Sequence, residues 1–374
     1  LRKYISLTGS KLQPKSKLVT QSIQKNKQIE LLSIFKNRSV IVTGHTGFKG
    51  SWLVAWLLHL GARVTGVSKD VPTDPSHYEA CQFADSLHDI RLDILDQKAF
   101  ESIVHKTEPD FVFHLAAQTL VRHSYLDPVK TYQTNMLGTL HILEALRILN
   151  KNCIAVLITS DKCYDNVEWP WGYKETDRLG GPDPYSASKG AAELVIHSHL
   201  KSFFPPESKI RIGIGRAGNV IGGGDWAVDR IVPDCVRCWA DGKTVVIRNP
   251  KAVRPWQHVL EPLYGYLTLA KSLHLGAELH GEPFNFGPPS HQNYSVRELA
   301  ISMSKYWPRL QWEEGSNNNN APYESGLLKL NCDKALYHLG WKSELEYIMF
   351  MELSRSIPGF KKHPKHIFCK VHRT

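Results

Sequence analysis

At 374 residues the chain is too long for one small core and suits one large α/β unit or two coupled lobes, because single cores stop growing at roughly 250–300 residues. A composition of 42% hydrophobic, 10% aromatic and 22% charged residues excludes a fibrous or wholly disordered chain, and SWLVAWLLHL, which carries His59 and ends at Gly61, falls short of the roughly 18–20 apolar residues of a membrane span. The net charge of +10 belongs to the ends: residues 1–29 hold seven Lys/Arg and residues 355–374 six, with no acid in either, so residues 30–354 carry about three net negative charges and give no reason to expect a nucleic-acid partner.

Residues 1–37 begin with Leu, as a fragment or processed product would, and lack hydrophobic periodicity. They read as a basic, disordered extension. An organelle transit peptide is the alternative, and the Lys/Gln-rich composition speaks against it. Seven scattered cysteines point to a reduced compartment, and a cytoplasmic location is expected.

From Ser39 short β-branched runs alternate with helical stretches: SVIV, GSWLVAWLLHLGA, RVTGV, DFVFHLA, TNMLGTLHILEALRILN and CIAVLITS. This is the βαβ rhythm of a doubly wound parallel sheet, the Rossmann-type α/β architecture, whose inner strands are apolar on both faces. After Arg211 the texture turns to Gly/Pro-rich loops such as GGGDW, RNPKAVRPWQHV and FNFGPP, as in a ligand-covering lobe. The expected division is 38–215 for a dinucleotide-binding domain and 216–345 for a smaller substrate-binding lobe, with some interleaving. A basic tail of uncertain structure occupies 346–374, and Asn317 to Asn320 make a solvated loop.

Gly44, Gly47 and Gly50 in VTGHTGFKGSWL stand between a strand and a helix. Missing side chains let the backbone approach a pyrophosphate, and the helix N-terminus presents N–H groups and a positive dipole end to it. A purely structural turn is the other reading. At the end of the next strand, Ser68-Lys69-Asp70 offers an acid for an adenosine ribose and a base for a 2′-phosphate side by side; NAD is expected over NADP. Asp93 in RLDILD is placed either at the adenine edge or as a helix cap.

Tyr185 and Lys189 in PYSASKGAAEL are four apart at the start of a helical run and share one face. A phenol is a poor base at its ordinary pKa of about 10, but a nearby ammonium favours the phenolate, which can take a proton from a sugar hydroxyl. With a glycine loop upstream and a strand ending in TSD before it, the pair resembles that of the extended short-chain dehydrogenase/reductase family, where Ser160 occupies the position of the family's Ser or Thr.

HLAAQTLVRHSYLDP, TSDKCYDNVEWPWGYKETDRLGGPDPYSASK, GRAGNVIGGGDWAVDRIVPD and NPKAVRPWQHVLEPLYGYL further resemble the CDP-glucose 4,6-dehydratases over roughly residues 36–345. The resemblance implies a homodimer or homotetramer that acts on CDP-glucose with bound NAD. Tyr185 would deprotonate the C4 hydroxyl as hydride leaves C4, water would be lost across C5 and C6, and hydride would return to C6. Ser160, Asp161, Lys162, Tyr185 and Lys189 would form the catalytic set. Asp161 would be the acid at the C6 oxygen if burial raises its pKa, with a strand-end cap as its other reading. The related dTDP-glucose enzymes have a glutamate as C5 base where this chain has Lys162, which could serve as a base or steady an enolate.

By the same resemblance Thr46, Phe48, Ala116 and Ala117 join Gly44, Gly47, Gly50, Asp70, Asp93, Tyr185 and Lys189 around the cofactor, and Gln118, Arg122, Asn219 and Arg254 face the substrate. Arginine suits a diphosphate because its planar fork donates two bonds at once; for Arg122 a structural ion pair is the alternative. Tyr323 stands where the family usually has histidine. Cys235 and Cys238 form a CxxC without a second pair, and His363, His366, Cys369 and His372 are interrupted by Pro364, so no metal is expected. Three rival functions remain: a nucleotide-sugar 4-epimerase, or a dehydratase acting on another nucleotide glucose, would keep Tyr185 and Lys189, and a non-catalytic NAD(H) sensor would need neither turnover nor Asp161.

Overall fold

The computed structural model describes residues 31, 33–292, 294–305, 311–315 and 325–345. Tyr323, the Asn317 to Asn320 run and the histidine-containing tail lie outside the described residues. Seven strands form the main sheet: β1 (Ser39–Thr43), β2 (Arg63–Ser68), β3 (Leu87–Arg91), β4 (Phe111–His114), β5 (Cys153–Ile158), β6 (Ile210–Ala217) and β7 (Pro283–Phe286). Their order is β7-β6-β5-β4-β1-β2-β3, and every neighbouring pair is parallel. The order reverses between β1 and β4, which opens a crevice at the carboxyl ends of the strands.

The inner strands β1, β4 and β5 are largely apolar because successive side chains serve opposite layers, whereas edge strand β3 alternates with polar residues. Val40, Val42, Phe111, Phe113, Ile154 and Val156 pack against α1 (Phe48–His59) and α5 (Leu260–Leu275). Ile41, Val112, Ala155 and Leu157 pack against α2 (Gln97–Thr107), α3 (Gly138–Arg147) and α4 (Pro184–Phe203). Shorter pairs lie outside this sheet, namely Val220–Ile221 with Gln257–His258, Val245–Ile247 with Trp312–Glu314, and Val253–Arg254 with Tyr294–Ser295. They gather around a third apolar cluster containing Trp239, Trp256 and Leu299.

One expectation needs correction. The extension was to run to residue 37, yet Leu31, Ile34 and Phe35 are buried in the main core, and the Phe35 ring lies 4.8 Å from that of Phe111. So short a run carries no readable period, but burial of these three side chains removes enough surface from water to hold them in the core.

Candidate active site

The loop after β1 bends on Gly44, whose φ of +72° lies in the region that favours glycine. A Cβ on Gly50 would overlap the Gly44 carbonyl oxygen, so the first turn of α1 can close on the loop only without a side chain there. Gly47 is the N-cap of α1, with no side chain capping the helix and no acid in its first turn. The positive dipole end is therefore left for an external anion. The glycines make the kind of cradle a dinucleotide diphosphate needs, and its dimensions depend on their missing Cβ atoms. Gly50→Ala should cost about 1–3 kcal/mol of overpacking and weaken dinucleotide binding about tenfold or more, with calorimetric titration measuring the affinity and circular dichroism melting the fold.

Across the crevice, β5 ends in Thr159-Ser160-Asp161, and Asp161–Cys163 form a single 3-10 turn. The Ser160 hydroxyl donates to Asp161 Oδ1 at 3.0 Å and accepts from the Lys162 backbone N–H at 3.2 Å. Asp161 is only 3% exposed, and its Oδ2 has no hydrogen-bond partner. Burial pushes its carboxyl up, against the pull of Lys162, Ser160, Arg254 and Lys49. A carboxyl so placed is inclined to hold a proton and has a free oxygen to deliver it.

Tyr185 and Lys189 are buried on the first two turns of α4, which starts at Pro184 behind the N-cap Asp183. Burial raises the phenol to about 12; Ser160 hydrogen bonding and the Arg230 charge pull it down, while Asp161 and Asp183 push it up. Burial likewise lowers the Lys189 ammonium to about 8. The cation acting most on the phenol is thus Arg230, a residue the spacing of YxxxK could not reveal.

The helix and the strand end are fastened by a buried network. Thr159 Oγ1 donates to Glu193 Oε1 at 2.5 Å, and Arg216 grips both Glu193 oxygens at 2.8 Å. Arg216 also donates to Tyr164 Oη at 2.9 Å, which in turn donates to Asn285 on β7 at 2.7 Å. Glu193 is one turn beyond Lys189, so this ion pair fixes the face of α4 that carries Tyr185 and Lys189 against Ser160 and Asp161. On the opposite side, Asn135 sits in a π-helical turn over Gln133–Leu137 that interrupts the expected continuous helix, and its amide donates to Ser188 Oγ at 2.9 Å.

The remaining sequence candidates fall into two groups. Thr46 is buried and donates to the Asp70 carbonyl at 2.6 Å; Ala116 N–H donates to Thr43 Oγ1 at 3.2 Å; Phe48 packs on the core beside the loop; Ala117 follows β4 at the crevice. Arg254 is 4% exposed and acts on the Asp161 charge, and Asn219 follows β6 with its carbonyl accepting from Gln257. Three others are engaged within the protein and a fourth is exposed. Arg122 pairs with Asp229 at 2.9 Å, the ion-pair reading. Asp93 binds Lys130 at 3.4 Å and caps the Leu95 N–H, Gln118 braces its own loop through Leu120 and Thr131, and the Asp70 side chain is exposed.

Cys235 is buried and Cys238 half-buried on one helix, Ile231–Ala240, and all six described cysteines are free. Among the described residues no cluster of His, Cys, Asp and Glu could hold a metal ion, and no helix is long and apolar enough to cross a membrane.

A dinucleotide loop facing a Ser-Tyr-Lys set across the switch point of a parallel sheet defines an extended short-chain dehydrogenase/reductase. Within that class, the chain belongs to the GDP-mannose 4,6 dehydratase family, whose model matches residues 41–353. It is 46% identical over 314 residues to a CDP-glucose 4,6-dehydratase of Salmonella typhimurium, covering 83% of this chain and 87% of that protein. Among solved structures, an epimerase from Methanothermobacter thermautotrophicus superposes with a TM-score of 0.73 at 20% identity, covering 87% of this chain and 93% of that one. A double mutant of a dTDP-glucose 4,6-dehydratase from Streptomyces venezuelae, solved with NAD bound, gives 0.70 at 20% identity over 85% and 97%. At these identities the two structures speak for the fold alone.

Proposed function

We propose that the chain is a CDP-glucose 4,6-dehydratase that converts CDP-D-glucose to CDP-4-dehydro-6-deoxy-D-glucose. The similarity to the Salmonella enzyme supports the substrate. The observation that carries the chemistry is the buried Asp161 carboxyl with its unpartnered Oδ2 beside Ser160 and Tyr185. Bound NAD would accept the C4 hydride and later return it to C6, so turnover is redox-neutral and the dinucleotide stays in place.

The chain's own groups divide the proton work. Tyr185, steadied by Ser160 and by the positive field of Arg230 and Lys189, removes the C4 hydroxyl proton. The ketone acidifies C5–H, and Asp161 donates to the departing C6 oxygen. Lys162 adjoins Asp161 and serves as the C5 base, giving the proton back to C5 as hydride reaches C6, or holds the enolate charge until C5 takes a proton. Arg254 and Asn219 hold the diphosphate, Thr46, Phe48, Ala116 and Ala117 line the cofactor groove, and Asp70 meets its adenosine end. Residues 38–215 supply the dinucleotide side and 216–345 the nucleotide-sugar side. A homodimer or homotetramer in the cytoplasm is proposed; exposed Leu126, Val129 and Leu194 on adjoining helices, at 82%, 66% and 61%, support such an assembly.

An epimerase would have no use for an acid at C6, which is why Asp161 decides between the readings. Incubation with CDP-glucose should yield the alkali-induced ultraviolet absorbance of a 4-keto sugar; CDP-galactose in its place would establish epimerisation. Tight NADH binding without turnover of CDP-, dTDP-, UDP- or GDP-glucose would leave a sensor.

A further inference from the structure

We infer that Lys49 sets the redox balance of the bound dinucleotide, its ammonium disfavouring the cationic oxidised nicotinamide relative to the neutral reduced one. The inference rests on the dinucleotide-dependent reading above. Lys49 lies in the first turn of α1, between Gly47 and Gly50, on the segment that meets the diphosphate. Its side chain turns toward the catalytic face instead: Nζ is 3.4 Å from Tyr266 Oη and 5.7 Å from that ring's centroid, and Tyr266 is fully buried on α5.

Among the described residues no carboxylate lies within 4.0 Å of Lys49 Nζ. The charges that reach it are Arg230 and Lys189, which oppose its ionisation, and Asp161, which favours it; with burial as the largest influence the amine comes down to about 8 and is still mainly cationic at neutral pH. Asp161, the only acid in this group, is itself pushed toward its neutral form by burial. The cations gathered here, Arg230 on the Tyr185 phenol, Lys162, Arg254 and Lys49 on Asp161, and Lys189 beside Lys49, outnumber the acids, which are Asp161 and, facing Tyr185, Asp183. Lys189 belongs to the proton-transfer pair, Lys162 to the C5 step and Arg254 to the diphosphate in the reading above, and Arg230 is tied to Asp225 at 2.9 Å, which leaves Lys49 as the cation given no task there.

Hydride can leave the sugar only where Tyr185 takes the hydroxyl proton, so the reacting ring must share this positive field. Oxidised nicotinamide carries a unit charge that the reduced ring lacks, and at an effective dielectric of about 20 a neighbouring cation shifts their relative affinity by about tenfold or more. Oxidation of a secondary alcohol by NAD is the uphill half of a redox-neutral cycle. A resident cation makes that half less unfavourable and holds the hydride until C6 can receive it.

The test titrates full-length protein, freed of dinucleotide, with NAD⁺ by calorimetry and with NADH by fluorescence. Lys49→Met should tighten NAD⁺ by about tenfold while changing NADH by less than about threefold. Lys49→Arg, which keeps the charge, should keep the wild-type ratio. An unchanged ratio in Lys49→Met, or equal weakening of both dinucleotides as expected of a simple phosphate contact, overturns the inference. If Lys49→Met fails to melt cooperatively, Lys49→Gln is judged by the same ratio. Wild-type protein that binds neither dinucleotide would instead sink the dehydratase reading, and this inference with it.

Discussion

Tyr185→Phe should lower turnover of CDP-glucose by roughly a hundredfold to ten-thousandfold, the span over which a positioned general base contributes, while leaving the dinucleotide bound. The substitution deletes one oxygen from a buried ring at the start of α4 and keeps the ring's volume. Ser160, which hydrogen-bonds that phenol, retains Asp161 Oδ1 as acceptor at 3.0 Å, so no buried hydroxyl is stranded and the melting temperature should barely move. Product absorbance measures the loss of rate; release of NAD from heat-denatured protein, compared with wild type, measures retention of the cofactor. A variant that keeps more than about a tenth of the rate would remove Tyr185 from the role of base.

Asp161→Asn should separate the two halves of the reaction. Asparagine can still accept from Ser160 but has no proton to give to the C6 oxygen, so elimination should fall by about 10²–10⁴-fold while oxidation at C4 continues. The visible outcome is absorbance of enzyme-bound NADH that persists after CDP-glucose is added, with deuterium entering C5 from heavy water. If the variant makes product at the wild-type rate, the C6 acid lies elsewhere.

The same substitution carries a signature in pH. Burial raises the Asp161 carboxyl above the ordinary carboxylate range, so the folded protein prefers the neutral form. That preference is fully present below the unfolded pKa of about 4 and is lost as pH rises through the higher folded value, where an ion must be kept out of water. Asp161→Asn is neutral at every pH. It should melt above wild type at pH 8, match it near pH 4, and lose the alkaline decline in rate that deprotonation of the acid imposes. Stability and activity then move in opposite directions, as expected where a buried polar group is kept for chemistry.

Features that depend on spacing within one element could be read before any coordinates. The strand runs, the Gly44 to Gly50 loop and the Tyr185–Lys189 face are local, since steric freedom and helical pitch act over a few residues. Ser160 and Asp161 were legible through the family resemblance, which places such residues at the end of an apolar strand run like CIAVLITS. Arg230 acts on a phenol 45 positions away in the chain and Arg122 meets Asp229 across 107, and no periodicity reports such meetings. Lys49 was hidden by its neighbours, because a loop read for its glycines draws no attention to the side chain between them.

The order of residues alone determined a parallel α/β sheet with a glycine turn before its first helix and a Tyr185–Lys189 pair on one helix face, because glycine geometry, strand alternation and helical pitch are properties of short segments. Tertiary structure alone decided which charges surround that pair, that the Glu193–Arg216 bridge fastens α4 to β5, and that Phe35 belongs to the core. Burial and Coulomb fields depend on every group that folding brings within a few ångströms, and that neighbourhood exists only once the chain has closed on itself.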